Sequence, residues 1–163
     1  MKHAAIRKRF DEFLRSRNLK LTQQRERIFE QAFATHEHFT AEMLHRWMLD
    51  EDPDAAKRVS RATVYRTLSL LEEGGFIGTL DSGRGELMYE HVLGHEHHDH
   101  LICTGCRKIV EFRNEEIERL QEEVAAGHGF TLTDHTLRLE GLCKACAKKA
   151  AREKVEEGAE GRA

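Results

Sequence analysis

Residues His91–Cys106 read H-V-L-G-H-E-H-H-D-H-L-I-C-T-G-C and hold five of the chain's 11 histidines and two of its four cysteines. Imidazole, carboxylate and thiolate are the side chains that bind transition metals, so the chemistry on offer is metal binding. The remaining cysteines follow as Cys143-Lys-Ala-Cys146. Cys103, Cys106, Cys143 and Cys146 form two C-x-x-C pairs, the first with Gly105 in its turn, and together make a tetrahedral S4 set suited to structural Zn(II). The 36 residues between the pairs exceed a simple zinc ribbon, so something folded lies between them.

The histidines acquire geometry if His97–Ile102 is extended. A period of two then puts His98 and His100 on one side of the strand and His97 and Asp99 on the other. One stretch would serve two further metal sites. Each needs ligands from elsewhere, and Glu90, Glu111, Glu118, His135 and His38 are the candidates. Mixed imidazole–carboxylate sets suit Fe(II), Mn(II) or Zn(II) and hold them less permanently than four thiolates. A structural site stays full, whereas a sensing site must fill and empty.

The elements that must position these residues follow from periodicity and caps. Residues 7–17 place Phe10, Phe13 and Leu14 on one helical face, and Asn18 suits the left-handed conformation that ends a helix. Thr22 caps a helix over Gln23–Ala34, and Thr40 caps Ala41–Met48. Asp50–Asp54 reads as a loop around the only proline, Pro53. Ser60 caps Arg61–Glu73, with Val64, Leu68 and Leu71 inward and Gly74-Gly75 as its stop. Phe76–Leu80 and Glu86–Glu90, joined by Asp81–Gly85, read as a hairpin. Three helices and a hairpin are the order of a winged helix-turn-helix, whose last helix reads the major groove. On that helix Arg61, Thr63, Tyr65 and Arg66 would reach DNA, and Lys20 and Arg25 sit where a basic arm would meet backbone or minor groove. Beyond the first cysteine pair come a short strand at Lys108–Phe112, an Asn114-capped helix over Glu115–Ala126, and an extended segment over Phe130–Leu142.

The whole chain sets the class. It has 163 residues, 39% hydrophobic and 34% charged, and a formal net charge of −3. No apolar run is long enough for a membrane span, and no secretory h-region opens the chain, so a cytoplasmic protein is expected. The charge is uneven: the first 30 residues carry nine Lys/Arg against four Asp/Glu, and from Glu90 onward 11 basic residues face 15 acidic ones. Phosphate-binding surfaces are therefore expected in the first half alone. The expected architecture is α+β: a winged-helix domain over residues 1–88, a small metal-binding α/β domain over 89–147, and a charged tail over 148–163 read as frayed helix or disorder.

Leu19-Lys20-Leu21-Thr22-x-Gln24-Arg25, Ala62-Thr63-Val64-Tyr65-Arg66-Thr67-Leu68, Tyr89-Glu90, His97-His98-Asp99-His100-Leu101-Ile102-Cys103, Ile109-Val110-Glu111-Phe112 and His128-Gly129-Phe130 together resemble the ferric uptake regulator family. The resemblance spans about residues 6–146. It implies an N-terminal winged helix, a C-terminal α/β dimerisation domain, and a homodimer that binds AT-rich inverted-repeat operator DNA when metal is bound. It implies that the four cysteines hold structural Zn(II). It assigns His38, Glu90, His98, His100 and Glu111 to a regulatory site linking the domains, with His91 as the alternative to Glu90. It assigns His97, Asp99, Glu118 and His135 to an additional site. Tyr65 matches a residue that contacts thymines and Lys20 one that enters the minor groove. Asn18, and Arg107 after the knuckle, stand where members commonly have Gly.

The function so implied is a metal-dependent repressor, with Fe(II) at the regulatory site shutting off iron uptake, and with Mn(II), Zn(II) or peroxide as alternative signals. It is not an enzyme and has no organic substrate or membrane partner. Two other classes stand beside it. A metalloenzyme would need a poised nucleophile or base and an open metal position, and no motif supplies them. A metal buffer or chaperone would leave the Ala62–Leu68 helix unexplained.

Overall fold

The computed structural model describes residues 2–56, 59–81, 87–93 and 97–160, with side chains throughout except at 2, 55–56 and 154–160. The chain divides into two compact units, Met1–Glu96 and His97–Ala163.

The first unit opens with α1 (Lys2–Ser16), α2 (Gln23–Ala34), α3 (Ala41–Glu51), the single turn α4 (Pro53–Ala56) and α5 (Arg61–Glu73). The caps are local chemistry. Thr22, Thr40 and Ser60 accept from the backbone N–H three residues on, at Arg25, Met43 and Thr63, satisfying donors that the first helical turn leaves open. Asn18 takes φ 58° at the end of α1, and the Leu19 N–H reaches back to the Leu14 carbonyl at 2.8 Å. Pro53 starts a turn of helix where a plain loop was expected. The first helical position needs no N–H and suits proline's fixed φ.

Two strands, β1 (Ile77–Asp81) and β2 (Leu87–His91), pair antiparallel with Thr79 opposite Tyr89. The connecting turn expected at Asp81–Gly85 falls almost wholly outside the described residues. Helices α2, α3 and α5 pack on one another and on the hairpin, the winged-helix arrangement. Phe10, Phe29, Phe33, Phe39, Val64, Leu68 and Leu71 are buried at its centre. Each contributes roughly 1.5–3 kcal/mol by leaving water. Phe39 also forms an isolated antiparallel bridge with Tyr89, closed by two backbone hydrogen bonds of 3.0 and 2.7 Å.

The second unit holds β3 (Asp99–Cys103), β4 (Ile109–Phe112), α6 (Glu115–Gly127), β5 (Arg138–Gly141) and α7 (Lys144–Glu160). Its sheet runs β4-β3-β5, antiparallel between β3 and β4 and parallel between β3 and β5. Asn114 caps α6 by accepting from the N–H groups of Glu116 and Ile117. Of the extended segment expected over 130–142, only Arg138–Gly141 is strand. Just before it the Leu137 carbonyl accepts from the His100 N–H at 3.2 Å, and residues 131–136 are irregular. The tail expected as frayed helix or disorder is helical to Glu160, in keeping with the helix propensity of its Ala, Lys and Glu. The expected domain boundary at residue 88 lies inside β2, whereas the two units divide after Glu96. Pairing with β1 binds Glu90 and His91 to the first unit.

Candidate metal centres and DNA-binding surface

The four cysteines converge. Cys103 ends β3, Thr104–Cys106 turn, and Cys143 and Cys146 flank the start of α7. Their four Sγ atoms lie within 4.8 Å of one another, and Cys106 Sγ is 3.8 Å from Cys143 Sγ. Thiolates about 2.3 Å from a tetrahedral zinc stand about 3.8 Å apart, so the residues present fit Zn(II). Backbone N–H groups of Cys106 and Cys143 donate to Cys103 Sγ at 3.5 and 3.2 Å. These bonds lower the Cys103 pKa to about 6, the Cys143 amide contributing most. Hydrogen bonding with the Cys143, Cys106 and Cys103 sulfurs pushes Cys146 up to about 12. Four thiols this close cannot all ionise unless a cation shares their charge. Gly105 is required in the knuckle: a Cβ there would stand 2.9 Å from both Cβ and Sγ of Cys146.

A second set lies wholly within the same unit. His97 precedes β3, Asp99 begins it, Glu118 sits in the first turn of α6, and His135 lies before β5. Their ligand atoms are within 4.8 Å of one another. His97 Nε2 is 3.3 Å from Asp99 Oδ1 and 3.7 Å from Glu118 Oε1, and His135 Nε2 is 3.1 Å from Glu118 Oε2. The His97 and His135 rings are 4.2 Å apart. Asp99 Oδ2, Glu118 Oε1 and His135 Nε2 are nonetheless buried without a hydrogen-bond partner. Buried polar atoms are ordinarily paired. Lone pairs from two imidazoles and two carboxylates aimed at one point fit a divalent cation of the Fe, Mn or Zn class.

The five residues expected at a regulatory site fall in both units. In the first, His38 Nε2 is 3.1 Å from Glu90 Oε2, with side chains 10% and 13% exposed. The Phe39–Tyr89 bridge explains this contact. In an antiparallel pair the residues one step outward, His38 and Glu90, face each other. The neighbouring His91 lies on the other side of β2, its ring stacked on Phe33 at 5.4 Å and 4.9 Å from that of His36. In the second unit His98 Nε2 is 4.0 Å from Glu111 Oε2, the His98 and His100 rings are 5.1 Å apart, and His100 pairs in register with Glu111. The alternation of β3 thus separates two donor sets as its period requires: His98 with His100, and His97 with Asp99.

The residues expected to meet DNA sort by what holds them. Tyr65 is 48% exposed on α5 and Arg66 is exposed beside it. Thr63 is engaged locally: its hydroxyl pairs with Ser60 Oγ at 2.9 Å and accepts from Arg66 Nη2 at 3.3 Å. Arg61 Nε lies 3.2 Å from Glu42. Lys20 is exposed, and Arg25 Nη1 donates to its carbonyl at 2.6 Å, so Arg25 braces the segment that carries Lys20. Two features went unnoticed in the sequence: the His36–His91–Phe33 stack, and the 3.0 Å contact of His45 Nε2 with the Val59 carbonyl, which fixes the entry to α5. Among the described residues no helix is long and apolar enough to cross a membrane.

The comparisons with known proteins agree with this geometry. A family model described as the ferric uptake regulator family matches residues 16–140. The chain is 39% identical over 155 residues to a ferric uptake regulation protein of Campylobacter jejuni, covering 95% of this chain and 97% of that one. It superposes on the ferric uptake regulator of Helicobacter pylori with a TM-score of 0.79 at 32% identity, over 89% of this chain and 93% of that one. That structure is described as revealing three functional metal-binding sites. A zinc-bound manganese uptake regulator is 39% identical, with a TM-score of 0.60 over 82% of this chain and 98% of that one. A winged helix with an exposed reader helix, an S4 set fitted to zinc and two further groups of imidazole and carboxylate donors therefore belong to one known architecture: the chain is a member of the ferric uptake regulator family, a metal-responsive DNA-binding transcriptional regulator.

Proposed function

We propose that the protein is a cytoplasmic, homodimeric, Fe(II)-dependent repressor of iron-uptake genes that binds AT-rich inverted repeats. The observation that carries this reading is the His38–Glu90 pair, a nearly buried imidazole–carboxylate contact in the unit that holds the reader helix. Together with His98, His100 and Glu111 it would make a mixed N/O ligand set. Such a set suits Fe(II) or Mn(II), and a bound ion would supply a link between ligands of the two units. His97, Asp99, Glu118 and His135 would hold a further ion.

This chain's own residues supply the rest. Tyr65 and Arg66 meet bases and phosphates from α5, and Lys20, braced by Arg25, meets the minor groove. Arg61 leaves Glu42 for a phosphate, and Thr63 holds the start of the helix. Ligands from both units make metal affinity depend on where the reader helices stand. By linkage, metal occupancy then favours the spacing of successive major grooves. Homodimerisation is supported by the apolar side chains that the second unit leaves exposed, among them Leu120 at 50%, Val124 at 62% and Phe130 at 73%. Monomers rarely leave so many large apolar groups in water.

The test is fluorescence anisotropy of an AT-rich inverted-repeat duplex with the zinc-loaded protein under anaerobic conditions. Binding should appear on adding low-micromolar Fe(II) or Mn(II) and vanish with chelator. His38→Ala should remove the metal dependence without unfolding the chain. Binding that appears only with added Zn(II) would make the protein a zinc regulator, and binding with no metal dependence would refute the mechanism.

A further inference from the structure

Residue His91 lies beside the Glu90 ligand, is 8% exposed, and is a potential ligand by chemistry. Its ring packs against other rings. It stacks on Phe33 with centroids 5.4 Å apart and planes 30° from parallel, and the His36 ring lies 4.9 Å from it, tilted by 56°. Phe33 in turn stacks on Phe29 at 4.5 Å, Phe29 on Phe10 at 5.7 Å, and Phe10 meets Phe76 edge-on at 5.3 Å. An unbroken aromatic column thus runs from the centre of the winged-helix core to the last residue of β2.

The placement of His36 gives the column a purpose. Residues 35–39 connect α2 to the Phe39–Tyr89 bridge and carry both His36 and His38. The same short segment therefore meets β2 at three successive places: the Phe39–Tyr89 bridge, His38 on Glu90, and His36 on His91. Beyond His91 the strand has no further pairing with β1. A terminal strand pair opens more readily than a central one, and the Phe33 and His36 rings pack against this one.

We propose that the Phe33–His91–His36 ring cluster is a positioning device for the regulatory metal site, clamping the end of β2 to the segment that carries His38 so that Glu90 stays opposed to His38. His91 is a positioning residue and not a ligand. The inference rests on His38 and Glu90 being ligands, as proposed above.

The test uses the full-length, zinc-loaded protein carrying Glu118→Gln to weaken the additional donor set. Free Mn(II) is followed by electron paramagnetic resonance, each variant held well below its own melting temperature. His91→Ala should weaken Mn(II) binding about tenfold, ~1.4 kcal/mol. His91→Phe keeps a ring between Phe33 and His36 and should stay within about twofold of the parent. A ligand role predicts the reverse for the phenylalanine variant, because it lacks ring nitrogens. Phe33→Leu keeps the core apolar while removing the stacking face, and should also weaken binding; it serves if His91→Ala does not fold. Unchanged affinity in His91→Ala and Phe33→Leu, or His91→Phe falling as far as His91→Ala, would overturn the inference. Parent-like affinity in both His38→Ala and Glu90→Gln would instead remove the regulatory site itself, and the inference with it.

Discussion

Removing zinc from the four cysteines should unfold the second unit and leave the first intact. The first unit buries an apolar cluster from Phe10 to Tyr89 that includes four fully buried phenylalanines. In the second, the only buried apolar side chains among the described residues are Ile102 and Cys103, and α6 has none. Burying Ile102 contributes about 1.5–3 kcal/mol, so within one protomer the thiolate centre is the main tie across this unit. The thiolate centre closes a loop with 36 residues between its two pairs. The chain-entropy relation gives such a closure about 4 kcal/mol, before any metal–ligand energy. Losing 4 kcal/mol raises the open population roughly a thousandfold. The assay is hydrogen exchange by mass spectrometry on the full chain, with and without a zinc chelator, and on Cys143→Ser. Amides of β3, β4 and β5 should lose about three orders of magnitude of protection while those of α2, α3 and α5 keep theirs. Protection in β3 and β5 within tenfold of the zinc-loaded value would refute the reasoning, because packing alone would then hold the unit.

Three further outcomes follow from the same geometry. Tyr65→Ala should lower operator affinity about tenfold in anisotropy titrations, as loss of one base contact does, with the melting temperature unchanged because nearly half the side chain is exposed. Glu118→Gln should reduce the stabilisation given by added Mn(II), as read by thermal melts with and without the ion, because it weakens one donor of the four-residue set. The Cys103 thiol has its pKa lowered to about 6, chiefly by the Cys143 amide. A lowered pKa gives stability present above the unfolded value and lost as pH falls through the folded one. Protons also compete with zinc for all four thiolates, so zinc release, measured with a chromogenic chelator, should be least at neutral pH and above and rise as pH falls.

Most of what bears on the sites was legible because it is local. Thr22, Thr40, Ser60 and Asn114 cap helices through their own side chains and the next turn, which needs no tertiary information. The C-x-x-C spacing and the alternation along His97–Ile102 are equally local, and the ligand atoms meet as that alternation requires. What was not legible depends on partners distant in sequence. The Phe39–Tyr89 bridge, which sets His38 against Glu90, joins residues fifty positions apart. The His36–His91 contact follows from it, so His91 could be seen in the sequence only as a rival ligand. The alternation of Leu137 and Leu139 with Arg138 and Glu140 marks the strand that forms at Arg138–Gly141, whereas residues 130–136 are not strand. The charged tail left helix and disorder open for the converse reason: without an apolar stripe a helix gives no packing signal, although Ala, Lys and Glu favour the conformation.

The β3 segment has a consequence for how the family can vary in length. Between His97 and Cys103 successive residues alternate between destinations: His97 and Asp99 to one donor set, His98 and His100 to another, and Cys103 to the thiolates. The strand is in effect a reading frame. Inserting one residue within it would turn every later side chain to the opposite face, exchanging histidines between the donor sets and withdrawing the cysteine from its knuckle. Of the residues between His91 and His97, only Val92 and Leu93 are described, and neither lies in a strand. Gains and losses of single residues among relatives should therefore be absent from the seven positions His97–Cys103.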